Sequence, residues 1–543
     1  MKVGVLVTWL GVVSNLFVQL AARGSILECP PELPCDCSLT VDRMTMDFLL
    51  MVDCSSRGFT KFPKLVFNEG SKIRLIDLRN NSFPLMPSDV FPALNVESVD
   101  FSESENLTIH KDALQPLRHH LHKVVLTKMG ITFHERLDYL KGLVHVHELF
   151  LDYNGGWPLQ FPMGFFRGLN LLSLKKLSMR SCGIFRIAWK AFVDLEHLKE
   201  LDLSGNFLPD IPVEASRLTQ LEKLVLNSNQ IRSIQENTFQ HLKRLRELHL
   251  VSNQLVSVTS IHEDSFNGLV NSLQVLDLSN NGLTAVPIHA LSNLKALHTL
   301  LLSNNRIPHL VNGSFDGNFK LKQLHISGNP MHFEEFMFAG LEGSLRRLYL
   351  KNMKLPSLPI PALKELQKLV FIDVSHNNFQ YIGENFFRGL RARRLVMRSM
   401  KVRNISPEAF VYLHRPIAMD LSDNRIHDVS FVVQAPRCTF YELNLTMNPI
   451  ECDCNVERII NSGTIEHLLG KCTTPRLYEN NNLQNHTLGL ALKRLCGSSE
   501  RIFCDWHAER TDSAGHTHAA AITSTNLIIA LSLIVSIKST ISL

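Results

Sequence analysis

The chain has 543 residues, eleven cysteines and a formal net charge of +5. Lys2, Arg23 and Lys538 lie in terminal segments that read as processing signals, and +5 less these three leaves +2, too little to imply nucleic acid or a generally anionic partner. The length exceeds what one core supports, and its source is repetition of a short unit.

In chain order, Lys2 is followed by an apolar run from Val3 to Leu20 and by Ala22-Arg23-Gly24, which puts small residues at the two positions a signal peptidase reads. Residues 1–24 are expected to be a signal peptide and Ser25 the first mature residue. Ser14, Asn15 and Gln19 interrupt the run, and a cysteine-rich segment follows it, which disfavours an uncleaved membrane anchor. Residues 25–72 read as a cap, with Cys29, Cys35, Cys37 and Cys54 in one tight group.

From about Ile73 to Ile450 the pattern LxxLxLxxNxL recurs sixteen times. Its asparagine-type positions are Asn81, Ser104, Met129, Asn154, Cys182, Asn206, Asn229, Asn253, Asn281, Asn305, Asn329, Met353, Asn377, Met400, Asn424 and Asn448, spaced by 23 to 28 residues. In one copy, Leu276 and Leu278 alternate along a short strand and point inward, while the residues between and beside them face solvent. Asn281 falls at the turn, where an amide that donates and accepts can satisfy backbone groups, and stacked copies build a ladder. Phenylalanine and leucine recur beyond it, as in Phe239, Leu242 and Leu245, closing the core from the convex side.

A single unit cannot bury its apolar face, so stability has to come from stacking parallel strands about 4.8 Å apart. The expected fold is an α/β solenoid, a leucine-rich-repeat horseshoe with a parallel concave sheet on the order of 70 Å long, capped at both ends by disulfides. Ser104, Met129, Cys182, Met353 and Met400 depart from asparagine, so the ladder is expected to be interrupted there. The 28-residue units ending at Cys182 and Asn281 are expected to loop out their extra residues.

No GxSxG, HExxH or GxxxxGK[ST] motif is present, which argues against an enzyme and against a cofactor or metal. His119, His120 and His122 cluster in an irregular repeat and read as solvated. The candidate ligand-binding residues lie on solvent-facing strand positions. Arg346, Arg347, Tyr349 and Lys351 are followed two units on by Arg393, Arg394 and Arg398, with Phe371 and Asp373 between, a composition typical of interface hot spots. A smaller stripe is Lys175, Lys176 and Arg180; the plain alternative for each stripe is a solvated charged face. Sequons at Asn80, Asn106, Asn312, Asn404, Asn444 and Asn485 suit an oxidising secretory compartment, and a glycan on Asn444 would obstruct one end of the sheet.

Residues 451–505 read as the second cap, with Cys452, Cys454, Cys472 and Cys496. Sequence alone allows three connectivities in each cap. Cys182 reads as a buried free thiol, whereas Cys504 is open to pairing with Cys438 or to competing with Cys496. After a stalk over 506–513, the small residues Ser513-Ala514-Gly515, a spacer to Asn526 and an apolar tail from Leu527 have the order of a glycosylphosphatidylinositol signal, with attachment at Ser513 and a propeptide over 514–543. A tail-less single span is the alternative.

Over about Cys29 to Cys504 the repeats and caps resemble the extracellular leucine-rich-repeat family that includes Slit, the Nogo receptor, Toll-like receptor ectodomains, connectin and chaoptin. The resemblance implies pairing of Cys29 with Cys37, Cys35 with Cys54, Cys452 with Cys472, and Cys454 with Cys496. It also implies cell adhesion or protein recognition at the extracellular face of the plasma membrane, with a protein or glycan ligand or a second copy as partner. An innate immune receptor or co-receptor subunit and a secreted matrix protein are the other readings.

Overall fold

The computed structural model describes residues 30, 32–42, 45–67, 70–134, 136–156, 159–413, 416–497, 502 and 504. They fall into two compact units that meet in sequence between Asn281 and Gly282. The expected signal peptide, Cys29, the stalk and the attachment signal around Ser513 lie outside the described residues.

The first unit opens with an antiparallel pair, Asp36–Val41 against Phe48–Asp53, and the second of these strands pairs in parallel with Lys72–Asp77. Three-residue strands then stack in parallel, including Ser98–Asp100, Lys123–Val125, Glu148–Phe150, Lys176–Ser178, Glu200–Asp202, Lys223–Val225, Glu247–His249 and Val275–Asp277. In the second unit a parallel stack of the same kind runs from Thr299–Leu301 through Gln323–His325, Arg347–Tyr349, Phe371–Asp373, Arg394–Val396, Ile417–Asp420 and Phe440–Asn444. It continues with His467–Leu469, inside the segment read as a cap. Leu201, Leu224 and Leu248 in the first unit, and Leu324, Leu348 and Ile372 in the second, are completely buried. Leucine at every second strand position therefore supplies the core, and removal of these side chains from water drives the stacking. On the outer side, Phe239 stacks on Phe266 with ring centroids 6.0 Å apart, and Phe387 lies 5.3 Å from Phe410.

The asparagine ladder is laid out in hydrogen bonds. Asn206 Nδ2 donates to the Met179 carbonyl of the preceding repeat and to its own Leu203 carbonyl, while its Oδ1 accepts from the N–H groups of Cys182 and Ile184. The expected interruptions are narrower than the sequence suggests. Cys182 keeps the donor half of the amide's work, its Sγ lying 3.2 Å from the Leu151 carbonyl and 3.4 Å from that of Arg180. Beside the methionines the ladder resumes at once, because the N–H groups of Met129, Met353 and Met400 donate to the next asparagine, at Asn154, Asn377 and Asn424. The longer repeat ending at Asn281 uses its extra residues for a 3-10 turn over Val258–Ser260.

Two further regularities fix each turn. The residue just before every ladder position has a left-handed backbone, among them Glu103, Lys128, Tyr153 and Met447 with φ between 55 and 60°. Such a conformation is costly for side chains of this kind, and stacking holds it in place: the Lys128 N–H donates to the Asp152 carbonyl and that of Tyr153 to Arg180. Aspartates on the strands also pin the turn, as when Asp202 and Asp373 accept from the N–H groups of Ser204 and Ser375.

Near the start of the chain Cys35 is bonded to Cys54; Cys37 is also in a disulfide, and Cys29, the partner implied for it, lies outside the described residues. After the last repeat, disulfides join Cys452 to Cys472 and Cys454 to Cys496, and a third ties Cys438, just before the last repeat's strand, to Cys504. The helix Cys454–Ser462, capped by Asp453, packs beside the helix His486–Cys496, capped by Asn485. Val456, Ile459, Leu488 and Leu492 are buried in this cap, as covering the exposed end of a solenoid requires.

Candidate functional site

Strand positions flanking the inward leucines of the second unit form two rows, mostly open to solvent, with Ala418 and Asp373 buried. Gln323, Arg347, Phe371, Arg394 and Ala418 are in register along one, and His325, Tyr349, Asp373, Val396 and Asp420 along the next. Arg346 and Arg393 are exposed one residue before their strands, where the preceding repeat has Lys322. The strand spacing thus brings Arg346, Arg347, Tyr349, Lys351, Phe371, Arg393, Arg394 and Arg398 onto adjacent strands. The aromatic rings form a continuous strip: His325 stacks on Tyr349 at 3.8 Å between centroids, and Tyr349 lies 5.2 Å from Phe371.

Part of the positive charge is matched internally. Lys351 Nζ is 2.9 Å from the buried carboxylate of Asp373, Arg394 is 2.7 Å from Glu442, and Arg398 is 4.0 Å from Asp420. Among the described residues Arg346, Arg347 and Arg393 make no ion pair, because their strand neighbours are Gln323, Phe371 and Val370 rather than acids. Burial lifts the Tyr441 phenol above its ordinary range and Glu442 adds to the lift, with Arg394 and Arg393 opposing it.

The first unit contrasts with this. Its equivalent row reads Lys123, Glu148, Lys176, Glu200, Lys223 and Glu247, alternating in sign from strand to strand. Lys176 is 3.2 Å from Glu200, Lys223 is 2.8 Å from Glu247, and Lys199 is 2.7 Å from Glu222. The smaller stripe belongs to this neutralised face: Lys176 is paired to Glu200 and Arg180 lies 3.8 Å from Asp202. Lys175 is left beside His147, whose imidazole is held below its ordinary range by burial first, then by Lys175, His122 and His145.

The histidine cluster does not converge. His119 accepts from Arg118 Nε, whereas His122 stacks on His147 at 5.1 Å. Glu236, His262 and Asp264 bring three possible metal-ligand atoms within 4.8 Å of one another. The Asp264 N–H donates to His262 Nδ1 at 3.1 Å, so the lone pair of that ring nitrogen is already engaged.

Four sequon asparagines, Asn80, Asn106, Asn312 and Asn404, are exposed. Asn444 lies on the sheet in register with Asp420, its Oδ1 accepting from the Thr446 N–H and hydroxyl; Asn485 Oδ1 does the same with Thr487. Sequence reasoning missed Lys322, His325 and Glu442. The first two stand at the same repeat positions as Arg346 and Tyr349, a signal that was available, while Glu442 is two strands from Arg394 and left none.

Leucine rich repeat family models match residues 172–224, 210–255 and 271–331, and a model of the BspA type leucine rich repeat region matches 303–417. Among curated proteins the chain is similar to chaoptin of Drosophila melanogaster, 30% identical over 54% of this chain and 23% of the relative. It is 29% identical to mouse podocan over 47% of this chain and 41% of podocan, and 34% identical to bovine Toll-like receptor 3 over 40% and 25%. The chain therefore spans less than half the length of each. Among solved structures, that of a TLR13–ssRNA13 complex superposes with a TM-score of 0.53 at 21% identity, covering 76% of this chain and 57% of the other, a likeness of fold. No helix of the described residues is long and apolar enough to cross a membrane. Its repeat spacing, stacked strands and these matches make the chain a leucine-rich-repeat protein, similar to proteins of the extracellular leucine-rich-repeat class.

Proposed function

We propose that this chain is a non-enzymatic cell-surface recognition protein that binds an acidic protein surface or glycan across the strands from Gln323 to Val396. The observation that carries the reading is the contrast between two equivalent rows. Strand neighbours cancel one another's charge in the first unit, whereas in the second Arg346, Arg347 and Arg393 stand unpaired around Tyr349 and Phe371. Arginine beside aromatic side chains is the usual composition of a binding hot spot. Glycosylation of Asn444 would bound this surface at its far end.

In this reading residues 1–24 direct secretion, and a lipid attached at Ser513 holds the protein on the outer face of the plasma membrane. Cell adhesion, by contact with a second copy or another surface protein, is the leading role, and similarity to chaoptin supports it. Similarity to Toll-like receptor 3 favours an immune co-receptor as the second reading, and similarity to podocan a matrix protein as the third.

The test replaces Arg346, Arg347, Arg393 and Arg394 by alanine and measures retention on ligand-bearing cells and on an anionic glycan surface. Binding should fall at least about tenfold and the residual binding should depend less on salt. Unchanged binding removes the proposal. Phospholipase release from intact cells reports separately on the lipid anchor.

A further inference from the structure

The first unit has an outer surface, away from the parallel sheet, that neither its core nor the recognition reading uses. Past each ladder turn the chain runs back along the outside of the stack. In three successive repeats a large apolar side chain stands outward at the same place: Met163, Trp189 and Val213, which are 68, 51 and 59% exposed. Trp189 and Val213 each lie seven residues after a ladder position, Cys182 and Asn206. Pairing of Phe161 with Ile187, and donation from the Gly164 N–H to the Lys190 carbonyl at 3.1 Å, bring Met163 alongside Trp189. The Arg217 guanidinium lies 4.5 Å from the Trp189 ring centre, beside a groove that Glu214 and Leu218 also line.

The charges around this column are ordered. Arg186 and Asp210 both lie four residues after a ladder position, and Lys190 and Glu214 both lie eight after. One repeat therefore carries two cations where the next carries two anions. None of the four makes an ion pair among the described residues, although close pairing is the rule on the sheet face of the same unit. Between Asn106 and Asn312 the sequence has no N-x-S/T sequon, so this flank is free of N-linked glycan whatever the occupancy of the six sites elsewhere.

We infer that this flank is the docking surface for a second copy of the same chain. A contact between identical copies about a two-fold axis must be self-complementary. An axis passing between Trp189 and Val213 meets that requirement twice over: Arg186 and Lys190 of each copy face Asp210 and Glu214 of the other, and Trp189 faces Val213. A surface built for an unrelated acidic or basic partner needs one sign of charge, not this alternation. Trp189 is the anchor, because it offers the largest apolar area at little cost in side-chain freedom.

The experiment is sedimentation of the purified full chain from about 1 to about 100 µM, a range that spans interfaces of modest size. The parent chain should dimerise, and Trp189→Ala should weaken the dimer at least about tenfold. Arg186→Glu with Lys190→Glu makes all four of these positions acidic, and Asp210→Lys with Glu214→Lys makes all four basic. Each double variant should be monomeric alone, the two should form a heterodimer when mixed, and all four changes in one chain should restore self-association. Every altered side chain is at least partly exposed, and an unchanged melting temperature identifies variants that keep the fold. A parent chain that stays monomeric throughout, or a dimer indifferent to these changes, overturns the inference; its failure leaves the sheet-face reading untouched, because no residue is shared.

Discussion

Replacing Asn206 by leucine isolates what one rung of the ladder contributes. Asn206 is buried, and its side chain has the same branched heavy-atom skeleton as leucine, so the shape is largely kept while five polar contacts disappear. The N–H groups of Cys182 and Ile184, each 3.0 Å from Oδ1, lose their acceptor, and the Met179 carbonyl, 2.9 Å from Nδ2, loses this donor. An orphaned buried polar group costs about 1–3 kcal/mol. Two stranded donors therefore amount to about 2–6 kcal/mol, against which leucine recovers about 1 kcal/mol of burial. The net expectation is about 3 kcal/mol, concentrated on neighbouring repeats because stability in a stack is a sum of nearest-neighbour terms. Hydrogen exchange is the fitting assay, since a repeat array need not unfold in one step. Amide exchange at Cys182 and Ile184 should accelerate by about a hundredfold, at about tenfold for each 1.4 kcal/mol, while amides several repeats away, such as Leu302, change little. Protection within about threefold of the parent chain at both amides would show that the buried amide is not what satisfies these turns.

A methyl group at Gly317 would lie 1.7 Å from the Ser292 carbonyl oxygen, so Gly317→Ala must displace backbone and should cost at least about 2 kcal/mol. Gly343→Ala, with nothing within 4 Å of the added atom, is the matched control and should be neutral in thermal melting. Burial pushes the Cys182 thiol up to about 12, so iodoacetamide at pH 8 should label it only after unfolding; rapid labelling of the folded chain would contradict its burial. Glu222 and Glu247 are held below the ordinary glutamate range, chiefly by hydrogen bonds from Lys199 and Lys223. Their stabilisation is therefore complete above that range and is lost as pH falls through the lowered values. Changing both to glutamine should cost less than about 1 kcal/mol at pH 7, since the pairs are solvent-exposed, and the difference from the parent should shrink toward pH 3. A pH-independent difference would mean the carboxylate charge plays no part.

Period and patterning already determined the solenoid. An apolar residue at strand positions two apart, repeated every 23 to 28 residues, leaves no other way to bury one face of each strand, and the same count located Arg347, Phe371 and Arg394 as neighbours. What tertiary structure decided is what passes between copies of the repeat. The left-handed residue before the ladder position is Asn, Asp, His or Gly in half of the repeats, as at Asn280 and Gly205, but Glu103, Lys128, Tyr153 and Met447 carry no such mark, because there the next repeat's carbonyl holds the conformation. Cys182 could be read as a missing rung until its sulfur was seen to take the donor's place. Whether a charged row is free or cancelled likewise depends on which side chains the register sets opposite each other: Lys176 meets Glu200 on the adjacent strand, Arg394 reaches Glu442 two strands away, and Arg347 meets Gln323 and Phe371. The disulfide between Cys438 and Cys504, left open by spacing alone, was settled by the fold, which ties Cys438, just before the last repeat's strand, to Cys504 in the cap. Local pattern specifies which residues turn inward, while contacts between strands distant in sequence exist only once the stack has formed.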